Sequence, residues 1–375
     1  MAPGNSLSAG QWTTRSLLDL PQTAPCIPDL FERIRSFPVE RFRELRIETA
    51  RSACGFRRGD LSVSCYESHV PVSNEVDTLA TALYVRTDDL LKLRPDLAPW
   101  RPPVGIAPRL TDAELVTLAV IQALLGFTSE ARWLRYARAH LRHLFRYLPQ
   151  QPGYNKRLRV AAPMILAIMR SLAVDTTLWT DDVWVADSTP VESGRSRETV
   201  KRSNLAGYAE YGYCASHSRY FWGFRLHLVA TLGGLPVGFA LTGAKADERQ
   251  TLLSILDTDP TLIDGRPGQK LICDKNYFGA GFEAELAEHG IRLLRPARKG
   301  EPERPSAGLF KPLRQVVESI NQTLKAQLDL ERHGGRTVAG VVVRVLQRLF
   351  ALTAVIWHND TTGAPVHRSL IAYDH

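Results

Sequence analysis

The spacing of apolar residues along this chain changes near residue 175. From Val76 to Val174 they recur at three- and four-residue intervals, the spacing of one face of an α-helix. EVDTLATALYVRTDDLLKL predicts one amphipathic helix. LTDAELVTLAVIQALLGF predicts a second, opening with Thr111 as N-cap and Glu114 three residues on, a capping-box pattern. ARWLRYARAHLRHLFRYL predicts a third, with Trp133, Ala137, Leu141, Leu144, Phe145 and Leu148 on its apolar side. Beyond Thr176 the pattern is that of strands. VWVAD, RYFWGFRLHLVATLGG and LPVGFALTG read as a three-stranded meander, its last two members joined by a Gly-Gly turn. Helix and strand then alternate: DERQTLLSIL, KLICD, GFEAELAEHG and IRLLRPA. PLRQVVESINQTLKAQLDLE predicts a final long helix, with Pro312 suited to its first turn.

Three hairpin-linked strands followed by alternating strands and helices give an α/β fold. The order is that of a ribonuclease-H-like mixed sheet flanked by helices, here preceded by an all-α domain. The expected boundaries are an N-terminal extension over 1–75, partly disordered and with one candidate helix near 39–53; a helical domain over 76–175; the sheet domain over 176–360; and a tail over 361–375. In this order the first and fourth strands lie side by side.

Both of those strands run into a carboxylate. VWVADSTPVE carries an apolar run into Asp187, and LICDKNY does the same at Asp274. Asp187 alone reads more readily as a turn residue, since Asp, Ser and Pro favour turns. The second such ending changes that, because neighbouring strands would hold both carboxylates within reach of one ion. A third acid, Glu318, sits in the last predicted helix. With Arg314 at 0°, ideal helical geometry puts Glu318 at about 40° and Lys325 at about 20°. Leu313, Val317, Ile320 and Leu324 form a separate apolar stripe. Close carboxylates raise one another's pKa, and a divalent cation removes the conflict. Oxygen donors without His or Cys suit Mg²⁺ or Mn²⁺, and two ions about 4 Å apart would serve phosphodiester displacement.

Charge adds a partner. Lys and Arg number 47 against 39 Asp and Glu, a formal net charge of +8. From Ala131 to Val174 there are nine Lys or Arg and no acid. Arg132, Arg135, Arg138, Arg142 and Arg146 fall on one side of the third helix, a one-signed face that favours a phosphate backbone over simple solvation. Arg195, Arg197, Lys201 and Arg202 form a basic loop after the first strand that either holds DNA or is solvated. His217 and His227 read as structural. Asp247 and Glu248 read as the start of a helix, with a place near the metal as the less favoured alternative. The five scattered cysteines contain no CxxC pair, which points to neither a disulfide framework nor a zinc cluster. No apolar run is read as a membrane span, and the N-terminus carries no signal-peptide pattern, so a cytoplasmic protein is expected.

VADSTPV, YFWGFRLHLVATLGGLPVGFALT, ICDKNYFG and RQVVESINQTLK together resemble bacterial insertion-sequence transposases of the DDE class, most closely the insertion-sequence 982 family, over about Val76–Asn359. The resemblance implies that Asp187, Asp274 and Glu318 are the metal-binding catalytic triad. It also implies that Arg314 and Lys325, in the spacing Arg-x3-Glu-x6-Lys, contact transposon-end DNA. The tyrosine that relatives carry before this arginine is Lys311 here. The implied activity is metal-dependent cleavage at element ends and strand transfer into target DNA, by a dimer or larger assembly in the nucleoid. Two other readings stay open: a catalytically silent copy that still binds DNA, and another ribonuclease-H-like nuclease. A glycosidase fits poorly, because it needs no basic face.

Overall fold

The computed structural model describes residues 73–366 and 370, apart from 103, 195, 215–217, 303 and 305–309; the side chains of 73, 74 and 310–314 are also outside the description. Residues 1–72 of the expected 1–75 extension, with its candidate helix, Arg195, His217 and the side chain of Arg314 therefore lie outside the described residues.

Among the described residues five α-helices come first: α1 (Ser73–Leu93), α2 (Asp112–Leu124), α3 (Glu130–His140), α4 (Gln151–Val160) and α5 (Ala162–Asp175). The capping box forms as expected: Thr111 Oγ1 accepts from the Glu114 amide at 3.1 Å, and Glu114 Oε2 accepts from the Thr111 amide at 2.6 Å. The third helix is shorter than its apolar period suggests. It stops at His140 instead of reaching Leu148, because the next residues turn to bury Leu141 and Phe145. Arg138 braces that turn, donating to the carbonyl of Pro149 at 2.7 Å. A tertiary contact has replaced helical hydrogen bonds that the period alone would have continued.

The rest of the chain gives β1 (Val183–Gly194), α6 (Arg197–Lys201), β2 (Glu210–Cys214), β3 (Arg219–Thr231), β4 (Pro236–Gly243), α7 (Glu248–Thr258), β5 (Gln269–Ile272), α8 (Ala280–Glu288), β6 (Ile291–Leu294), α9 (Phe310–Gln322) and α10 (Val338–Thr362). The sheet runs β2-β3-β1-β5-β6, with β4 also paired to β3. β2 pairs with residues 219–223 of β3 and β4 with 224–230, so the two lie end to end along one edge. Leaving β2 aside, the order β4-β3-β1-β5-β6 is antiparallel on one side of β1 and parallel on the other. That is the ribonuclease-H-like arrangement expected from the sequence, with β1 and β5 adjacent. β1 continues past Asp187 to Gly194 instead of ending there, because β3 pairs with it throughout, from Trp184 opposite Thr231 to Gly194 opposite Trp222.

This ladder needs Gly223. A Cβ there would meet the Val191 carbonyl oxygen at 2.2 Å and the Ser193 nitrogen at 2.9 Å, both backbone atoms that cannot swing aside. Gly223→Ala is expected to destabilise the fold by about 3 kcal/mol or more, the upper range for overpacking. Urea unfolding checks this, and an unchanged midpoint would show that the two strands separate at little cost.

The last predicted helix is divided. α9 ends at Gln322, Thr323–Gln327 form a π-helical turn, and a short 3-10 turn follows at Leu330–Arg332. The wider π turn breaks the α-helical phase that set Lys325 beside Glu318; Lys325 is half-buried. The true final helix is α10, which the apolar pattern did not single out. It packs on α1, α2, α4, α5 and β4, and one continuous core joins the helical region to the sheet.

By length and composition α10 is apolar enough to cross a membrane, contrary to the expectation that no such run exists, but 89% of that window is buried inside the protein. Its polar residues confirm a place in the core. Arg344 pairs with Glu130, and Gln347 donates to Gln122 Oε1 at 3.2 Å. A lipid-facing helix offers no such partners.

Candidate functional site

The parallel ladder of β1 and β5 ends at Val185 opposite Ile272. Asp187 and Asp274 each lie two residues further on, so register alone places the two carboxylates level, where β5 leaves the sheet. Ligands of open α/β sheets bind at such carboxyl ends. Asp274 is fixed by its own loop: the Asn276 amide donates to Oδ1 at 2.7 Å and the Asn276 side chain to Oδ2 at 2.9 Å. α7 steadies that loop, because Arg249 donates to the Phe278 carbonyl at 3.0 Å. Asp187 accepts from the side-chain amide of Asn321, on α9, at 2.7 Å.

Electrostatics mark Asp187 out. Its carboxyl is pushed up to about 6, chiefly by burial and in part by the charges of Glu248 and Asp274, against the opposing hydrogen bonds from the Ser188 backbone and Asn321. The same three acids, with burial as the larger cause, raise the Tyr277 hydroxyl and the Cys273 thiol well above their usual values. The hydrogen-bond donors recorded for Asp187 and Asp274 are neutral amides. Other acids of this protein take arginine: Asp112 pairs with Arg101 and Arg157, and Glu283 with Arg295 and Arg304. Glu248 follows that second pattern, accepting from Arg225 at 3.0 Å and from Ser188 at 2.5 Å. A desolvated carboxylate, Asp187, whose charge is opposed by the nearby exposed Asp274 is an arrangement that a hard divalent ion would relieve.

Glu318 is exposed on α9, one turn before Asn321. Among the leading causes of the Asp187 shift are the charges of Glu248 and Asp274. Among the described residues no three His, Cys, Asp or Glu side chains converge closely enough to hold one metal ion. The donor chemistry of Asp187 and Asp274 fits Mg²⁺ or Mn²⁺, and these two aspartates stand as a pair.

Three residues of the site were not singled out by sequence reasoning. Asn321 follows Glu318 by three positions on a helix, a spacing that puts both near one face. Arg225 and Ser188 project from the same face of the sheet, since Ser188 stands opposite His227 and Arg225 lies two residues before it. Asp247 does begin a helix, as its N-cap. Glu248 is the first residue of that helix, as expected, and its side chain also reaches the site, the less favoured alternative. His227 is structural as expected: it is buried against Thr242 at 2.9 Å, and burial holds its imidazole down at about 3.

The basic residues divide. Arg132, Arg135, Arg142 and Arg146 are exposed, as are Arg197, Lys201 and Arg202. Arg142 donates to the Arg138 carbonyl, and Lys201 pairs with Glu198 at 3.2 Å. Arg138 is half-buried and braces its own fold. Arg157 and Arg170, counted in the same one-signed stretch, also turn inward: Arg157 holds Asp112, and Arg170 lies over Trp179.

Residues 178–354 match the profile of a protein family described as "Transposase DDE domain". A search of curated proteins finds no match. Among solved structures the chain is similar to the "Cryo-EM structure of piggyBac transposase synaptic complex with hairpin DNA (SNHP)", at 8% identity and a TM-score of 0.37, over 97% of this chain and 81% of that one. What the family match supports is a transposase with a DDE domain, carried by the stretch that holds Asp187, Glu248, Asp274 and Glu318.

Proposed function

We propose that this protein is a transposase that cuts DNA at the ends of a mobile element and joins the freed ends to target DNA, with Mg²⁺ or Mn²⁺ as its cofactor. The observation that carries the reading is the level pairing of Asp187 and Asp274 at the end of the β1–β5 ladder, each bonded by the neutral amide of an asparagine. Asp187 and Asp274 hold the cation, and Glu318 completes the set from α9, the helix that already bonds Asp187 through Asn321. Bound there, two such ions would activate the attacking oxygen and stabilise the leaving one.

The chain's own part is positional. Asn321 fixes the carboxylate plane of Asp187. Arg225 pairs with Glu248 and so offsets part of a third negative charge that still reaches Asp187. The exposed arginines of α3 and the turn after it, with those of α6, take the phosphate backbone of element ends, and Arg314 and Lys325 contribute from the α9 region. Two ends must be joined, so a dimer or larger assembly on DNA is expected, and the kinship proposed is with the insertion-sequence 982 family.

The test uses a plasmid carrying the gene with its native flanks, incubated with purified full-length protein in Mg²⁺ or in EDTA. Breaks at the element's edges that need metal and vanish in Asp274→Ala and Glu318→Ala are the expected result. Breaks that persist in Glu318→Ala would remove that residue from the set. No breaks, with salt-sensitive retention of the same DNA, would make the protein a silent DNA-binding relative. Metal-dependent breaks scattered without regard to the edges would favour another ribonuclease-H-like nuclease.

A further inference from the structure

The ribbon formed by β2 and the first residues of β3 has two unlike faces. Its inner face carries Gly212, Cys214 and Phe221, and Cys214 and Phe221 are buried with Ala244 in a small cluster of their own. Gly212 is required there: a Cβ would stand 2.8 Å from that of Ala244 and 2.9 Å from the Phe221 ring. The outer face carries Tyr211, Tyr213 and Tyr220, which are 46%, 48% and 79% exposed. Tyr213 and Tyr220 sit opposite each other in the ladder, with ring centroids 5.0 Å apart. A strand face turned to water ordinarily carries charged or small polar residues. Here it offers a pair of aromatic planes on a rigidly backed ribbon.

Two contacts tie this ribbon to the rest of the sheet domain. Arg225 donates to the Tyr213 carbonyl at 3.3 Å while also holding Ser188 at 2.9 Å and Glu248 at 3.0 Å. Arg225 alternates with Phe221 and Gly223 on the inner face, so it anchors the ribbon's backbone to the residue that follows Asp187. Tyr220 stands eight residues along β3 from Leu228, the partner of Asp187, about 26 Å at strand spacing. At the root of the same face, Trp222 lies against Gly194, whose other neighbour is Thr199 of α6. α6 brings the exposed Arg197, Lys201 and Arg202 to that end of the ribbon. Aromatic planes bordered by positive charge are how proteins hold single-stranded nucleic acid, base on ring and phosphate on cation.

We infer that Tyr213 and Tyr220 form a stacking platform for unpaired DNA bases at the far end of β3 from Asp187 and Asp274, on the same side of the sheet as Asp187. The inference rests on the transposase reading and deepens it: a strand opened at the cleavage point and running on along the sheet would have its free bases captured by the ribbon. Stacking tolerates any base, so the platform contributes opening and positioning and no sequence preference.

The test measures binding of the full-length protein to a fluorescein-labelled oligothymidylate, roughly 20 nucleotides long to span one such site, and to a duplex of the same length. Tyr220→Ala is expected to weaken oligothymidylate binding by about 10-fold and the double Tyr213→Ala/Tyr220→Ala variant by more. Tyr220→Phe keeps the ring and is expected to stay within about twofold of wild type, as is duplex binding by every variant. Alanine variants that hold oligothymidylate as tightly as wild type would overturn the platform. So would a phenylalanine variant as weak as alanine, which would make the hydroxyl and not the ring the point of contact. If Tyr220→Ala instead turns a dimer into a monomer in sedimentation with oligothymidylate binding unchanged, the face is covered by a second copy and the inference is wrong. Failure of the transposase reading is read separately. Ring-dependent binding by a wild-type chain that never breaks element edges would sink that reading and leave the aromatic site, whereas edge cleavage with ring-independent binding would sink the platform alone.

Discussion

Asp187→Asn is expected to yield a protein that is more stable than the wild type at pH 8 and unable to cut DNA. The wild-type carboxyl is raised to about 6 in the folded chain from an ordinary value near 3.8, so the folded state holds that proton more tightly than the unfolded state does. Stability from this group is therefore complete below the ordinary value and is lost as pH rises through about 6. Asparagine cannot ionise and escapes that loss, while its side-chain oxygen still accepts from Asn321. A carboxyl raised this far is worth about 3 kcal/mol, a gain for the variant that is present at pH 8 and absent near pH 4. Thermal unfolding of the metal-free protein at the two pH values measures it. Equal melting at both would show that Asp187 is not desolvated as its surroundings indicate. Activity moves the other way. Altering an outer partner of a metal ligand costs about 10- to 100-fold. Losing the ligand charge itself should cost more, leaving edge cleavage below detection. A site that is destabilising when empty and required for turnover is the pattern of a functional carboxylate pair.

Phe350→Ala is expected to produce the largest loss of stability among single substitutions in the core. Phe350 is 1% exposed in the middle of α10, the helix that packs against both the helical region and β4. Truncating a buried phenylalanine costs about 3–5 kcal/mol. For a chain of this size that lowers the melting temperature by about 5–10 °C. Calorimetry should still show one transition, since the helices and the sheet share a core. Two separated transitions in the variant would mean that α10 does not couple the two regions.

Much of the sheet was legible in the sequence because β1, β3 and β5 are central strands whose residues satisfy burial on both faces, and such runs are continuous and easily seen. The two apolar runs closing on Asp187 and Asp274 were legible for the same reason: a carboxylate after a buried strand breaks the pattern. The Thr111–Glu114 capping box is a local device, and it formed as read.

What failed were inferences about direction. Five arginines spaced along one side of a helix looked like one basic face, yet the helix ends at His140 and Arg138 turns back to the Pro149 carbonyl. Arg157 and Arg170 carry the same charge in the same stretch and are used to hold the fold together. Glu248 read as one more acid at a helix start. Only the approach of α7 to β1 and β3 sets it against Ser188 and Arg225. α10 reads as an apolar run broken by Arg344, Gln347 and Arg348, and only the packed core supplies the buried partners that make those residues admissible.

The sequence by itself therefore determined the strand order and the two aspartates that the order brings together, because both depend on period and burial, which are local properties of the chain. The tertiary structure decided which charges face water, which acid keeps an arginine and which acids are bonded by the neutral amide of an asparagine. Those outcomes depend on neighbours far away in sequence, and the electrostatic cost of a buried charge is set by those neighbours and not by the residue alone.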